Sequence, residues 1–176
     1  MAFPRLAGVI LHPTSLPGGH GVGDLGRTAK QFVDFLNNAA LGIWQVLPLG
    51  PTGGANSPYQ AMSSYAGNPL LVSLDNLIDL ELLDRADLRD APGNSMHAEF
   101  DAARAFKEKT LRKALDRFQD ARANAGLAKE FEEFRREHRD WLDDFALFMA
   151  AKDFYKGLPW YAWPDAALRA HTPEGV

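Results

Sequence analysis

Apolar residues in the first half of this chain come in two rhythms. Leu6-Ala7-Gly8-Val9-Ile10-Leu11 is an almost unbroken apolar run closed by His12-Pro13, and Ile43-Trp44-Gln45-Val46-Leu47 is a second run cut off by Pro48. Short apolar runs bounded by proline predict strands buried on both faces. Between them Ala29, Phe32, Val33, Leu36, Ala39 and Ala40 fall at helical spacing, with Asp24 as predicted N-cap and Gly42 as predicted stop. Strand, helix and strand in this order predict a βαβ unit with a right-handed crossover. The intervening stretches 12–24 and 48–69 are dense in Gly and Pro and read as loops. Leu70-Leu71-Val72-Ser73-Leu74 reads as a third short strand.

The rhythm changes near residue 80. Residues 98–156 hold a single glycine, Gly126, and no proline. Ala103, Phe106, Leu111, Ala114, Leu115 and Phe118 predict one amphipathic helix. A second, longer one follows from Leu127, Phe131, Phe134, His138, Trp141, Leu142, Phe145, Phe148 and Met149 in steps of three and four.

Composition and charge narrow the chemistry. With 46% apolar and 24% charged residues the chain has ordinary globular composition, and 176 residues suggest about one domain. The 23 acidic against 19 basic residues leave a net charge of −4 without a long basic run, so no nucleic-acid or anionic-membrane partner is expected. With no cysteine, disulfides, zinc ribbons, iron–sulfur clusters and thiol nucleophiles are excluded. Met1-Ala2-Phe3-Pro4-Arg5 does not open a signal peptide, and no apolar window approaches the roughly 18 residues of a spanning helix. A cytoplasmic location is the expectation.

Several motifs carry less than they promise. Gly21-Val22-Gly23-Asp24-Leu25-Gly26 matches the dinucleotide-binding G-x-G-x-x-G. The preceding strand ends about ten residues too early for the tight turn that motif needs. Val46-Leu47-Pro48-Leu49 also offers no acid to a ribose, so a loop entering a helix is the reading adopted. His138-Arg139-Asp140 lies within a helical pattern and lacks the other parts of a kinase site. Histidines 12, 20, 97, 138 and 171 are scattered, with no pair at metal-ligand spacing. His12 reads as a hydrogen-bonded structural imidazole, and Glu132-Glu133 and Asp143-Asp144 as solvated helix faces.

The richest candidate is the second loop. Gly53-Gly54-Ala55-Asn56-Ser57-Pro58-Tyr59-Gln60, continuing to Ser63-Ser64-Tyr65-Ala66-Gly67-Asn68-Pro69, follows the C-terminal end of a strand, where parallel α/β folds bind ligands. It mixes hydroxyls, amides and two tyrosines with no charge between Gly53 and Pro69. Neutral hydrogen-bonding groups beside aromatic rings suit a sugar better than a phosphate or carboxylate. A Pro/Gly-rich loop packed by its own aromatics is the alternative.

These residues closely resemble the N-terminal part of the 4-α-glucanotransferases, or amylomaltases. The resemblance rests on His12-Pro13-Thr14-Ser15-Leu16-Pro17-Gly18, on Gly21 to Gly26, and on Trp44-Gln45-Val46-Leu47-Pro48-Leu49-Gly50-Pro51-Thr52-Gly53. It continues in Ser57-Pro58-Tyr59-Gln60, Ala66-Gly67-Asn68-Pro69-Leu70, the segment from Trp141 to Ala150, and Trp160-Tyr161-Ala162-Trp163-Pro164. It is weakest from about 80 to 130.

That resemblance implies an α/β fold, the N-terminal part of a (β/α)8 TIM barrel with a mainly helical insertion. Residues 1–80 would be the first βαβ unit with its substrate-side loops. Residues 81–176 would be a helical insertion region, incomplete at its C-terminus. It implies transfer of α-1,4-glucan segments between maltodextrins with retention of configuration, without metal or cofactor. Retention uses two carboxyl groups about 5–5.5 Å apart, one as nucleophile and one as acid then base. In the family those carboxylates belong to later strands, so no catalytic residue is assigned here and all are expected downstream of Val176. Ser57 and Tyr59 match positions lining the donor cleft, implying a hydroxyl hydrogen bond and a ring contact to glucose. Gly54 stands where many members carry a tyrosine of a secondary glucan-binding surface, which puts that surface in doubt. The segment alone is expected to lack catalysis, and a non-catalytic glucan-binding or scaffold module is the alternative. A (β/α)8 barrel takes about 250 residues, so the chain is read as a piece of one.

Overall fold

The computed structural model describes residues 5–18, 20–53, 55–93, 96–120, 124–172 and 175. Gly54, and with it the substitution noted above, lies outside them. The contacts gather residues 1–128 into one compact unit and 129–176 into another.

In the first unit the two apolar runs form strands β1 (Gly8–Ile10) and β2 (Ile43–Gln45), paired in parallel with Gly8 opposite Ile43 and Ile10 opposite Gln45. Gly8 is required by this closeness, since a Cβ there would sit 2.6 Å from the Ile43 Cβ and carbonyl oxygen. Helix α1 (Arg27–Asn38) makes the crossover, packing Phe32 edge-on to Trp44 with ring centroids 5.0 Å apart. The Trp44 indole N–H donates to Leu11 O at 2.8 Å, tying the ends of the strands together. The strands are not buried on both faces as their composition predicts. Ile10 is 63% exposed and Ile43 44%, because a two-stranded sheet leaves an open edge on each strand and α1 shields only part of its surface.

Three boundaries differ from those predicted. The N-cap of α1 is Gly26, while Asp24 accepts a hydrogen bond from the Gly26 N–H at 3.0 Å. The helix stops at Asn38, and the left-handed residue after it is Ala40 (φ 54°), not Gly42. Leu70–Leu74 is not a strand. Pro69–Leu71 is a single 3-10 turn whose Leu70 N–H is capped by the Asn68 side chain, and Ser73 caps helix α2 (Leu74–Asp79).

The core lies beneath α2 and helix α3 (Phe100–Phe118) rather than on the sheet. Leu74, Leu82, Leu83 and Ala114 are buried together, with Leu77, Phe106 and Leu111 packed against them. Burying a leucine side chain contributes about 1.5–3 kcal/mol, so this cluster carries much of the unit's stability. A smaller cluster joins Val22, Leu70 and Ala103. Leu115, predicted on the apolar face of α3, is 52% exposed. The stripe α3 buries instead is Ala103, Lys107, Thr110 and Ala114.

The predicted long second helix is two, α4 (Ala125–Glu137) and α5 (Arg139–Phe154), separated at His138 (φ −111°, ψ 17°). The apolar period runs through the break, with the His138 ring lying against Phe134 at 4.3 Å and Trp141 at 5.6 Å between centroids. In the second unit Trp163 is buried against Phe148 and Tyr155, its indole N–H on Leu158 O at 3.0 Å. A 3-10 turn (Trp160–Ala162) and the short helix α6 (Ala166–Arg169) complete it. No helix among the described residues is long and apolar enough to cross a membrane.

Candidate functional site

Both long loops leave the C-terminal ends of the parallel strands. The first, from His12 to Gly26, is built from side chains that bond locally. His12 caps the turn Pro13–Ser15, its Nδ1 lying 2.7 Å from Thr14 Oγ1 and accepting from the Thr14 N–H at 3.3 Å. Burial lowers the His12 pKa below its ordinary value, against the opposing pull of the Pro48 backbone. The hydrogen bonds expected of this imidazole are made by Nδ1.

The glycine-rich motif serves packing. A Cβ on Gly23 would lie 2.2 Å from Pro13 O and 2.5 Å from Leu16 O, so that position admits only glycine. Gly21 adopts φ +84° against Pro92 and Ala103. Beside the first amides of α1, where a pyrophosphate would lie, stands the chain's own Asp24 carboxylate. Asp24 is paired with Lys107 Nζ at 3.3 Å, and Lys107 is only 1% exposed. A hollow of about 520 Å³ lies against this loop, lined by Thr14 to Gly18, Gly21, Val22 and Met96 to Ala98.

The second loop is a closed excursion. Thr52 and Ala61 form an antiparallel bridge, and Met62 N–H donates to Pro51 O at 2.8 Å. Above it Gly53 N–H reaches Gln60 O at 3.3 Å, Asn56 N–H reaches Gly53 O at 3.2 Å, and Gln60 N–H reaches Ser57 O at 3.1 Å. Ser57 and Tyr59 therefore stand together on one tip, Ser57 half-buried and Tyr59 74% exposed. Tyr65 is also 74% exposed, on the return segment, where Ser63 Oγ accepts the amides of Tyr65 and Ala66. Asn68 is buried and turns the chain into α2.

Sequence reasoning missed two residues of this arrangement, both on α3. Arg104 Nη2 donates to Asn56 Oδ1 at 2.5 Å, bringing a charge to a loop that has none of its own. Lys107 Nζ donates to Leu70 O at 2.6 Å and Val72 O at 2.8 Å, besides Asp24. The bonded partners lie at least 35 residues away in sequence, and no local pattern announces them. In the second unit Asp144 pairs with His171 at 3.3 Å, and Asp140 is exposed on the first turn of α5. Among the described residues no three His, Asp or Glu side chains are grouped to hold a metal ion. The tip of the second loop offers hydroxyl and ring contacts, with the Arg104 guanidinium held on Asn56.

Comparison with known proteins gives a consistent result. The family model described as 4-alpha-glucanotransferase, glycoside hydrolase family 77, matches residues 11–176. A 4-alpha-glucanotransferase of Synechocystis is 45% identical over 179 residues, taking in 100% of this chain and 35% of that protein. One from Thermus thermophilus is 43% identical over 164 residues, covering 93% of this chain and 32% of that protein. An amylomaltase from Streptococcus agalactiae, solved in complex with acarbose, superposes with a TM-score of 0.84 at 34% identity. That match covers 93% of this chain and 33% of the amylomaltase. The chain thus spans about a third of the length of the relatives it matches.

Proposed function

The chain belongs to the 4-alpha-glucanotransferase family, and we propose that it contributes the donor-side glucan wall of such an enzyme. In this reading β1 and β2 are the first two strands of a (β/α)8 barrel, and their open edges and apolar faces meet later strands of a longer chain. The whole protein transfers α-1,4-glucan segments between maltodextrins with retention, through two carboxylates that residues 1–176 do not supply. The single observation that carries the reading is the closed tip of the second loop, which presents Tyr59 as an exposed ring beside the Ser57 hydroxyl. The acarbose complex of the amylomaltase neighbour supports a saccharide as the ligand. Ser57 donates or accepts a hydrogen bond to a glucose hydroxyl, and Tyr59 packs its ring on a C–H face.

Two measurements on the 176-residue chain test this. Titration with maltoheptaose, followed by NMR shifts of tyrosine rings, is expected to move Tyr59, and Tyr59→Ala to weaken binding about tenfold, as lost aromatic contact would. Equal affinity of the two proteins would sink the assignment. Incubation with maltotriose is expected to give neither glucose nor longer dextrins, and turnover would refute the absence of the catalytic pair. A non-catalytic glucan-binding module predicts the same binding but no activity in any longer chain carrying these residues, which an assay of that chain decides.

A further inference from the structure

Helix α3 touches both long loops. The Glu99 N–H before its first turn donates to Gly21 O at 2.8 Å, and Lys107 holds Asp24, so the first loop is fastened at two points. Lys107 also takes the carbonyls of Leu70 and Val72, just past the end of the second loop. Arg104 stands beside the buried stripe of the same helix, half-buried, and reaches the tip of that loop through Asn56.

Asn56 is the pivot of the tip. Its φ of 54° is left-handed, a region that asparagine tolerates better than most residues, and it directly precedes Ser57. Apolar packing gives the tip little support, since Tyr59 is 74% exposed and Ala55 and Gln60 are exposed too. A guanidinium is always charged and presents its donors in a rigid plane, so its bond to an amide oxygen is charge-assisted and fixes direction as well as distance.

We infer that Arg104 is a positioning residue: it locks the Asn56 turn from 48 residues downstream and thereby sets where Ser57 and Tyr59 stand. Its use to the protein rests on the reading of those two residues as glucan contacts, but the locking itself does not. Asn56→Asp would give the guanidinium a carboxylate and tighten the lock.

Amide hydrogen exchange of the 176-residue chain, without glucan, is the direct test. The bonded amides of Gly53, Asn56 and Gln60 should exchange about tenfold faster in Arg104→Gln than in wild type, the order expected for losing one charge-assisted bond. The core amides of Leu82 and Leu83 should keep their rates. Asn56→Asp should slow the tip amides when Arg104 is present and leave them unslowed in Arg104→Gln. Arg104→Lys should fall between, because an ammonium is a point charge without the planar fork. Tip amides unchanged in Arg104→Gln would overturn the inference. So would acceleration spread equally over Leu82 and Leu83, which marks a merely structural residue. A maltoheptaose titration separates the two levels. Wild-type binding that weakens in Arg104→Gln joins the lock to glucan recognition. Absence of any wild-type shift at Tyr59 refutes the glucan reading while the exchange result stands on its own.

Discussion

Replacing Lys107 by methionine should be among the most damaging single changes in the chain that leave side-chain volume nearly intact. The ammonium is 1% exposed and spends its three donors on Asp24 Oδ2 at 3.3 Å, Leu70 O at 2.6 Å and Val72 O at 2.8 Å. At that separation and an effective dielectric of about 20, the attraction to Asp24 is about 5 kcal/mol before desolvation is charged against it. Burial lowers the Lys107 pKa and Asp24 opposes the shift, so the desolvation cost is real and only partly offset. Methionine removes that cost on its own side but strands a carboxylate that is 14% exposed and two carbonyls, each unmet polar group being worth about 1–3 kcal/mol. A net loss of about 3–5 kcal/mol follows, as for other buried pairs broken on one side. Urea unfolding at neutral pH measures it. In an Asp24→Asn background, which retains an oxygen for the Gly26 amide, the same substitution should cost only about 1–2 kcal/mol because no charge is stranded. Should Lys107→Met not fold, Asp24→Asn alone is still expected to lose stability, because it leaves the buried Lys107 ammonium facing a neutral amide. Equal costs of Lys107→Met in the two backgrounds, or a loss within about 0.5 kcal/mol of zero, would refute the account.

Two further predictions address other parts of the first unit. The Asp84 backbone N–H holds the Asp87 carboxyl down to a pKa of about 2 from an ordinary 3.8, with Lys113 at 3.0 Å and Arg117 at 2.8 Å adding to the effect. Because the folded value is depressed, this stabilisation is complete above the unfolded pKa and is lost as pH falls through about 2. Melting temperature against pH should therefore drop less steeply between 4 and 2 in Asp87→Asn than in wild type, and parallel curves would contradict the assignment. Gly23→Ala must move backbone, since the new Cβ would meet Pro13 O at 2.2 Å, and a loss above about 2 kcal/mol in urea unfolding is expected. A fully stable Gly23→Ala protein would show that the first loop yields more easily than its close contacts imply.

Periodicity made some of this fold legible and hid the rest for identifiable reasons. Helices α1 and α3 follow from apolar residues at three- and four-residue steps, and β1 and β2 from proline-bounded runs. The break at His138 is invisible to that signal because Phe134, His138 and Trp141 keep the period while the backbone leaves it. Leu70–Leu74 is too short for periodicity to tell strand from turn. Better evidence lay in polar neighbours: Asn68 before Pro69 and Ser73 before Leu74 are both caps, and both close hydrogen bonds to amides two or three residues on. The candidate site divides in the same way. Turn residues and the lack of charge marked the loop, and family resemblance singled out Ser57 and Tyr59. Arg104 and Lys107 sit on a helix where a cation ordinarily means a solvated face.

The misread strand and the buried lysine are one problem with one solution. A chain that leaves a 3-10 turn in extended form, as Val72 does at φ −67° and ψ 125°, directs carbonyls sideways that a sheet neighbour would satisfy. Among the described residues no strand pairs with residues 70–72. The carbonyls of Leu70 and Val72, two residues apart, are instead met by a single ammonium whose third donor reaches Asp24. Lys107 thus does for this segment what an edge strand would, and it does so from α3, which also carries Arg104. The cation that makes strand pairing unnecessary after the second loop therefore shares its helix with the one that steadies the loop's tip. A substitution that displaced α3 as a whole would disturb both loops at once, whereas Arg104→Gln should loosen only the tip, and that difference separates packing from positioning.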